Sequence, residues 1–461
     1  MKEGHKFLIN NLFVYSSRIF SKIITFFLFV YLARKLSVQD FGNLTLLTTI
    51  TSILVFLQDL GTSNVIVRAV SRRKETFFNY FINVILLKSF IAVPIILAFL
   101  ILYKVNIYSY FNLFVFAFLS VGIIAESFLM SGVKTLEGLE RFQISSGLVL
   151  LERVLIISFL LFFSSFFVGI VSYSLSYLLS NAIIFFVVLL ILNKKINDDN
   201  DNVSTYRIRS IVKESFIFYL FGIFSIIYNR IDVFILNFFH SSELVGIYKV
   251  MYQTIEALFF IPLSFSISLL PFLSRIYKQD LNFFKELVNL VFIFMLCVGL
   301  AMSLFLYQNF MEIISFIYGS KYTVFDRKLG VIVFLIPLFY MSNVMGNILI
   351  ATFNEKYQLM AIIIGTIFKL IILGLFTQNY GLVSVITALL IGEFLCVIIQ
   401  FYGARNFLKI SFKNFGQGIT LFVLLFILQI LTKEILLSLL LLTLSILIIT
   451  FYSYKYYRKF I

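Results

Sequence analysis

Tryptophan is absent from this 461-residue chain, and histidine, cysteine and proline are scarce, at two, two and four residues. Each scarcity removes a class of chemistry. The two histidines, His5 and His240, fall in an expected tail and an expected loop, so no histidine-based catalytic site suggests itself. Cys297 and Cys396 each stand alone in an apolar stretch, which argues against a disulfide and against CxxC metal spacing. Charge is thin as well: Asp, Glu, Lys and Arg make up 13% of the chain against 61% hydrophobic residues, and mean hydropathy is +1.03. No soluble domain has that balance. The first apolar stretch is too long for a cleavable signal peptide and has no small-residue cleavage site, so it reads as the first membrane helix.

What is abundant is long apolar runs. Windows of ~20 residues give about fourteen candidate membrane helices. Their approximate limits are 10–33, 43–67, 79–102, 111–133, 142–164, 168–192, 215–239, 249–273, 286–308, 329–353, 357–377, 381–403, 414–432 and 435–454. The net charge of +15 could point to nucleic acid, but the basic residues are distributed as a topology signal. One set of alternate loops, with both termini, carries about 22 Lys and Arg, and the other about 8. The positive-inside rule then places both termini in the cytoplasm of a multi-pass cytoplasmic-membrane protein, with no nucleic-acid partner.

The chain resembles itself at an offset of about 204 residues. Ser37-Val38-Gln39-Asp40-Phe41-Gly42 matches Ser241-Ser242-Glu243-Leu244-Val245-Gly246, and Ser71-Arg72 matches Ser274-Arg275. An even number of helices per copy makes the repeat parallel, about an axis along the membrane normal. The expected organisation is an N-lobe at 1–195 (helices 1–6), a polar Asn/Asp-rich cytoplasmic linker at 196–213, a C-lobe at 214–410 (helices 7–12), and two extra helices at 411–461. The fold class is therefore all-α, with two six-helix lobes plus two C-terminal helices that lack interior charge. Asn202-Val203-Ser204 in the linker fits a glycosylation sequon but faces the cytoplasm.

Charges inside the apolar stretches are the most informative residues. They are Arg18, Lys22, Arg68, Lys88, Arg153, Arg230 and Lys369, against Asp59, Glu126, Glu152, Asp232, Glu256 and Glu393. Each costs about 2.5–3.5 kcal/mol at a helix centre, even on the lenient insertion scale. Such costs are met by a polar interior, which points to a transporter with a charge-lined cavity. Arg18 and Lys22 are four apart on one face of the first helix, a face that Thr25 continues. Two like charges need acidic partners or an anionic ligand. Asp59, Glu126 or Glu152 could neutralise them structurally; a phosphate group could do so functionally.

Arg230 and Asp232, two apart, point to different faces, with Glu256 a partner for Arg230. Glu152-Arg153 could neutralise itself, whereas Lys88, Lys369 and Glu393 are single charges expected to face a cavity. Arg68 reads as an interface anchor. The candidate substrate-binding residues are thus Arg18, Lys22, Arg230, Lys88, Arg153 and Lys369. The candidate ion-coupling carboxylates are Asp59, Glu126, Asp232 and Glu256, for H⁺ or Na⁺. No cofactor, metal site or catalytic residue is expected. Pro262 and Pro271 could let the eighth helix bend, and Tyr219, Tyr228 and Tyr252 could contact sugar rings, though packing accounts for them equally.

Several motifs together resemble one family. Asn11-Leu12-Phe13, Ala33 through Gly42, Asp59-Leu60-Gly61, Val67-Arg68, Tyr228-Asn229-Arg230-Ile231-Asp232, Val245-Gly246-Ile247-Tyr248, Tyr318 through Tyr322 and Asn379-Tyr380-Gly381-Leu382 are similar to the polysaccharide-biosynthesis flippases, the Wzx-like translocases of O-antigen and exopolysaccharide repeat units in the MATE-like MOP superfamily. The resemblance implies two lobes forming a V. It implies movement of a polyprenyl-(pyro)phosphate-linked oligosaccharide from the inner to the outer leaflet, with cavity cations at Arg18, Lys22 and Arg230. Membrane lipids, and a neighbouring polysaccharide polymerase or glycosyltransferases, would be the partners. Alternatives within transporters are a multidrug/cation antiporter of the same superfamily and a lipid II flippase. A membrane glycosyltransferase or polymerase fits least, because the longest external loop, 309–328, is short and holds only Glu312 and Asp326 as acids.

Overall fold

The computed structural model describes residues 2–72, 77–104, 113–167, 169–196 and 208–408. The two expected C-terminal helices and most of the linker lie outside the described residues, as does the side chain of Arg18. Among the described residues every regular element is helical, and eleven helical stretches are long and apolar enough to cross a membrane. The chain is a multi-pass membrane protein. It divides into two units, Met1–Ile226 and Ile227–Ile461.

The first unit holds α1 (Lys2–Lys35), α2 (Val38–Asp59), α3 (Thr62–Arg72), α4 (Phe77–Lys104), α5 (Leu113–Gly138), α6 (Phe142–Phe163) and α7 (Ile170–Ile196). It also holds the first part of α8 (Ile208–Phe239), inside which the two units divide. That part packs on α2: Tyr219 stacks on Phe56, with ring centroids 5.7 Å apart. The hub is α5, which touches α2, α3, α4, α6 and α7. Its buried positions are largely small, among them Ser120, Gly122, Ser127, Ser131, Gly132, Thr135 and Gly138. Small residues let membrane helices approach closely where no hydrophobic effect drives them together. Gly132 illustrates the constraint: a Cβ there would lie 2.2 Å from Val188 of α7.

The second unit runs through the rest of α8, then α9 (Ser242–Glu256), α10 (Phe260–Gln279), α11 (Leu281–Gln308), α12 (Phe310–Tyr318), α13 (Leu335–Ala351), α14 (Glu355–Tyr380) and α15 (Leu382–Ala404). The helix order of the first unit recurs, with α12 inserted. Ser37 and Ser241, the residues that open α2 and α9, are both extended, with ψ of 161° and 157°. Ser37 Oγ accepts from the Asp40 amide at 3.0 Å, satisfying an otherwise orphaned donor.

Three expected single spans are broken. The second splits into α2 and α3 at Leu60 and Gly61, both with positive φ (49° and 73°). The eighth splits into α9 and α10 around a 3-10 turn at Ala257–Phe259. The tenth begins as a 3-10 helix, Arg327–Phe334. A ~20-residue hydropathy window averages over such breaks, because they are only a few residues long. The left-handed conformation of Leu60 costs roughly 1–2 kcal/mol, and the polar contacts built around the adjacent Asp59 hold it in place.

Candidate functional site

Lys22 sits about two-thirds of the way along α1, on its exposed face, while Ser21 beside it is buried. Thr25 is bonded back to the Ser21 carbonyl at 2.8 Å, so its hydroxyl is spent within the helix. Lys22 lies thirteen residues before the helix end, roughly 20 Å at 1.5 Å per residue, so a ~30 Å hydrocarbon layer beginning at that end would enclose it. Among the described residues it makes no ion pair.

The packing of α1 against α6 fixes what shares its depth. Tyr31 Oη stands 3.3 Å from Ser164 Oγ, and Leu36 fills the space where a Cβ on Gly169 would be, at 2.4 Å. Both helices ascend together from that point downward in number. Glu152 and Arg153 are then roughly 18 and 16 Å below Ser164, while Arg18 and Lys22 are roughly 20 and 14 Å below Tyr31. Lys22 therefore lies within a few ångströms of the depth of the Glu152-Arg153 pair.

Glu152 is fully enclosed, and Arg153 Nη1 stands 3.3 Å from its Oε1. That geometry forms no hydrogen bond, and among the described residues neither carboxylate oxygen of Glu152 has one. Across the same space, Tyr177 of α7 donates its hydroxyl to Glu126 of α5. Tyr177 stacks on Tyr173 at 6.3 Å, and it reaches α5 because Gly122 has no side chain: a Cβ there would lie 2.7 Å from the Tyr177 ring.

A second buried pair lies at the α2–α3 break. Lys88 of α4 is fully buried and donates to Asp59 Oδ1 at 2.8 Å and to the Ser127 carbonyl at 3.0 Å. Asp59 also accepts from the Ser63 hydroxyl at 2.6 Å and the Ser63 amide at 3.4 Å, capping the start of α3. Nearby, Gln58 donates to the Lys88 carbonyl at 3.3 Å. A charge placed in a protein interior must be paired and hydrogen-bonded, and this one is.

In the second unit Tyr228 organises a network. Its hydroxyl donates to Glu393 of α15, and its carbonyl accepts from Lys369 of α14 at 2.6 Å. Lys369 Nζ lies 5.3 Å from the Tyr228 ring centroid, a cation–π contact, and 3.7 Å from Asp232 Oδ2. Asp232 in turn accepts from the Tyr248 hydroxyl. The approach of α14 to α15 beside Tyr228 depends on Gly365, where a Cβ would meet Cys396 Sγ at 2.6 Å. Glu256 is 3.5 Å from Lys249, a pairing that the charge pattern did not single out. Arg230 is half-buried and makes no ion pair among the described residues.

The candidate residues thus fall into separate groups. Lys88 with Asp59, Arg153 with Glu152, and Lys369 with Asp232 are held against carboxylates, and Glu126 is held by Tyr177. Lys22 and Arg230 are not engaged in this way. Arg68, near the end of α3, pairs with Glu214 at 2.7 Å, both about half exposed, a contact worth little on its own.

Sequence reasoning passed over Lys249, counted as a loop residue but only 7% exposed, and the tyrosines Tyr173 and Tyr177. Signals were available: Lys249 and Glu256 are seven apart, two helical turns, and Tyr173 and Tyr177 are four apart in a serine-rich helix.

Comparison with known proteins agrees with this architecture. A family model described as polysaccharide biosynthesis protein matches residues 7–277. No curated protein sequence matches significantly. A structure of the lipid II flippase MurJ in an inward closed conformation superposes with a TM-score of 0.76 at 18% identity, covering 96% of this chain and 99% of that one. An outward-facing multidrug resistance MATE family transporter of the MOP superfamily gives 0.61 at 17% identity, over 86% and 95%. A MOP superfamily transporter from Pyrococcus furiosus gives 0.63 at 16%, also over 86% and 95%. At such identities the likeness is one of fold, and the fold is that of these transporters.

Proposed function

The chain belongs to the polysaccharide biosynthesis protein family, and from that membership we propose that it is a flippase, carrying a polyprenyl-(pyro)phosphate-linked oligosaccharide across the cytoplasmic membrane for surface polysaccharide assembly. Both termini are cytoplasmic in this reading, and the protein moves its substrate without making or breaking a covalent bond.

One observation carries the reading. Lys88 and Lys369, the fully buried cations among the candidates, have their charge consumed by carboxylates of the protein. Lys22 does not, yet it is exposed at a depth where lipid would surround it. An unpaired ammonium facing hydrocarbon is too costly to keep, so Lys22 faces water and is available to an anion. Arg230 is the corresponding unengaged cation of the second unit, and Arg18 stands one turn away along α1, its side chain outside the described residues. Phosphate is the anion such a face recognises, through charge-assisted hydrogen bonds. The head group enters an aqueous cavity while the polyprenyl tail stays in lipid, and alternating access delivers it to the outer leaflet.

Reconstitution into vesicles holding a fluorescent polyprenyl-diphosphate oligosaccharide tests this directly. Flipping shows as loss of protection from a membrane-impermeant quencher. Protection unchanged relative to protein-free vesicles, with the chain correctly inserted, would sink the reading. A multidrug antiporter would instead move organic cations in the same vesicles.

A further inference from the structure

The open face of α13 carries polar side chains in the middle of a membrane span. The helix is packed by α10, α11, α14 and α15, and the half-exposed positions it keeps there are Leu338, Phe339, Met341, Ser342 and Asn343. On α14, by contrast, every exposed side chain from Ile367 to Phe376 is apolar, the pattern of a surface against lipid. Asn343 lies eight residues from either end of α13, roughly 12 Å, so its short side chain reaches no membrane interface. Ser266 of α10 ties it to a second amide. The Ser266 hydroxyl donates to Asn343 Oδ1 and stands 2.8 Å from the Pro262 carbonyl. Asn347 Nδ2 donates to Ser266 Oγ at 2.7 Å and to the Asn343 carbonyl at 2.9 Å, which fixes the orientation of its amide. Two groups are left over. Among the described residues neither Asn343 Nδ2 nor Asn347 Oδ1 makes a hydrogen bond, although Asn347 is only 8% exposed. An amide left unpaired away from water is costly, so the pair opens to water or to a ligand. Phe339, one turn before Asn343 on the same face, stacks on Phe259 with ring centroids 3.9 Å apart.

We propose that Asn343 and Asn347 read the glycan of the substrate, the neutral part that a cation such as Lys22 does not address. Adhesion between α10 and α13 alone would use both amides in full, and here a donor and an acceptor are spare. They stand one helical turn apart, and both are held in place through Ser266. Such a pair matches a sugar residue that presents an acceptor and a donor side by side, as adjacent ring hydroxyls or an acetamido group do. Other ligands fit less well. A phosphate would set its oxygens against Asn347 Oδ1, and an organic cation would meet the Asn343 amino group; a neutral sugar satisfies both. The half-exposed ring of Phe339 offers an apolar surface for the C–H face of the sugar. The arrangement selects as well as binds, because a sugar lacking one of the two groups leaves an amide unpaired. That the sugar belongs to a transported lipid rests on the flippase reading; sugar binding by the pair does not.

The absence of tryptophan gives a clean reporter. Phe339→Trp places a single indole one turn from Asn343, and its emission is followed in the full chain, in a detergent without a sugar head group, as glucose or N-acetylglucosamine is added. A saturable change at millimolar concentration is expected with at least one of them, and the tighter of the two tells a hydroxyl pair from an acetamido group. Asn343→Leu in the same background should abolish it. Emission indifferent to both sugars overturns the proposal, and does so without any variant of the amide pair having to fold. So does a response that survives Asn343→Leu. In the vesicle assay Asn343→Leu should reduce the preference for the oligosaccharide-bearing lipid over bare polyprenyl diphosphate by roughly 3- to 10-fold, the effect of one lost hydrogen bond. Equal slowing of both lipids would make Asn343 structural and also overturns the assignment. Should neither lipid be flipped while sugar still changes the emission, the transport reading falls and the sugar site stands.

Discussion

Lys88 Nζ lies 2.8 Å from Asp59 Oδ1, at the point where the second membrane span breaks into two helices. The relationship serves two ends. It neutralises an ammonium that has no access to water, and it holds a carboxylate where it can cap α3 through Ser63. The break at Leu60-Gly61 and the buried lysine depend on each other.

Removing one partner leaves a bare charge in the interior. Asp59→Ala is therefore expected to destabilise the protein by about 3–5 kcal/mol. The double variant Asp59→Asn with Lys88→Met removes both charges and should recover most of that loss. Thermal unfolding in detergent, followed by size-exclusion of the soluble fraction, measures both. Equal melting of Asp59→Ala and wild type would show that the pair contributes nothing.

A methyl group at Gly365 collides with Cys396 Sγ at 2.6 Å. Gly365→Ala should cost about 1–3 kcal/mol by forcing α14 from α15. Cys396→Ala removes the nearest clash and should restore part of that stability in the double variant, the Gly392 carbonyl oxygen still standing 3.1 Å from the new Cβ, a coupling read by a double-mutant cycle. Additive effects would mean that the contact is not where the structure puts it.

Tyr228→Phe keeps the ring beneath Lys369 and deletes only the hydroxyl bonded to Glu393. A hydrogen bond to a charged group contributes about 1.5–3 kcal/mol, and at half-buried Glu393, which also has Ser342 as a donor, the loss should fall at the low end. Lys369→Met should cost more, because it removes the carbonyl and ring contacts at Tyr228 together with the charge facing Asp232. The ranking of the two melting temperatures is the check.

Lys22→Ala should leave protein abundance in the membrane unchanged while slowing flipping and surface polysaccharide display by roughly 10- to 100-fold, the equivalent of about 1.5–3 kcal/mol for a charge-assisted contact. Lys22→Arg should retain most activity. Normal export in the alanine variant removes Lys22 from the substrate site.

Much of this architecture is written in the sequence. Twelve of the fourteen expected spans, from the one holding Lys22 to the one holding Glu393, coincide with helices or helix pairs, and the paired serines Ser37 and Ser241 announce the repeat. Hydropathy reports this reliably, because a segment of ~20 apolar residues has no other stable environment than the membrane, and no other stable form there than a helix.

Charge alone also singled out most of the ionic groups that the structure pairs, because in a segment of that kind each charge demands an explanation. Which explanation applies is another question. Lys22 and Lys88 look alike in sequence, each a lysine inside an apolar stretch. The structure buries one against Asp59 and exposes the other. Pairing depends on how far each helix is rotated and how deep it sits relative to its neighbours. Those quantities are set by contacts such as Gly122 with Tyr177 and Gly365 with Cys396, between residues far apart in the chain. Composition and periodicity fixed the solvent, the helices and the list of charges; tertiary packing decided which charges pair within the protein and which do not, because electrostatic partnership is a matter of a few ångströms between helices that no local pattern encodes.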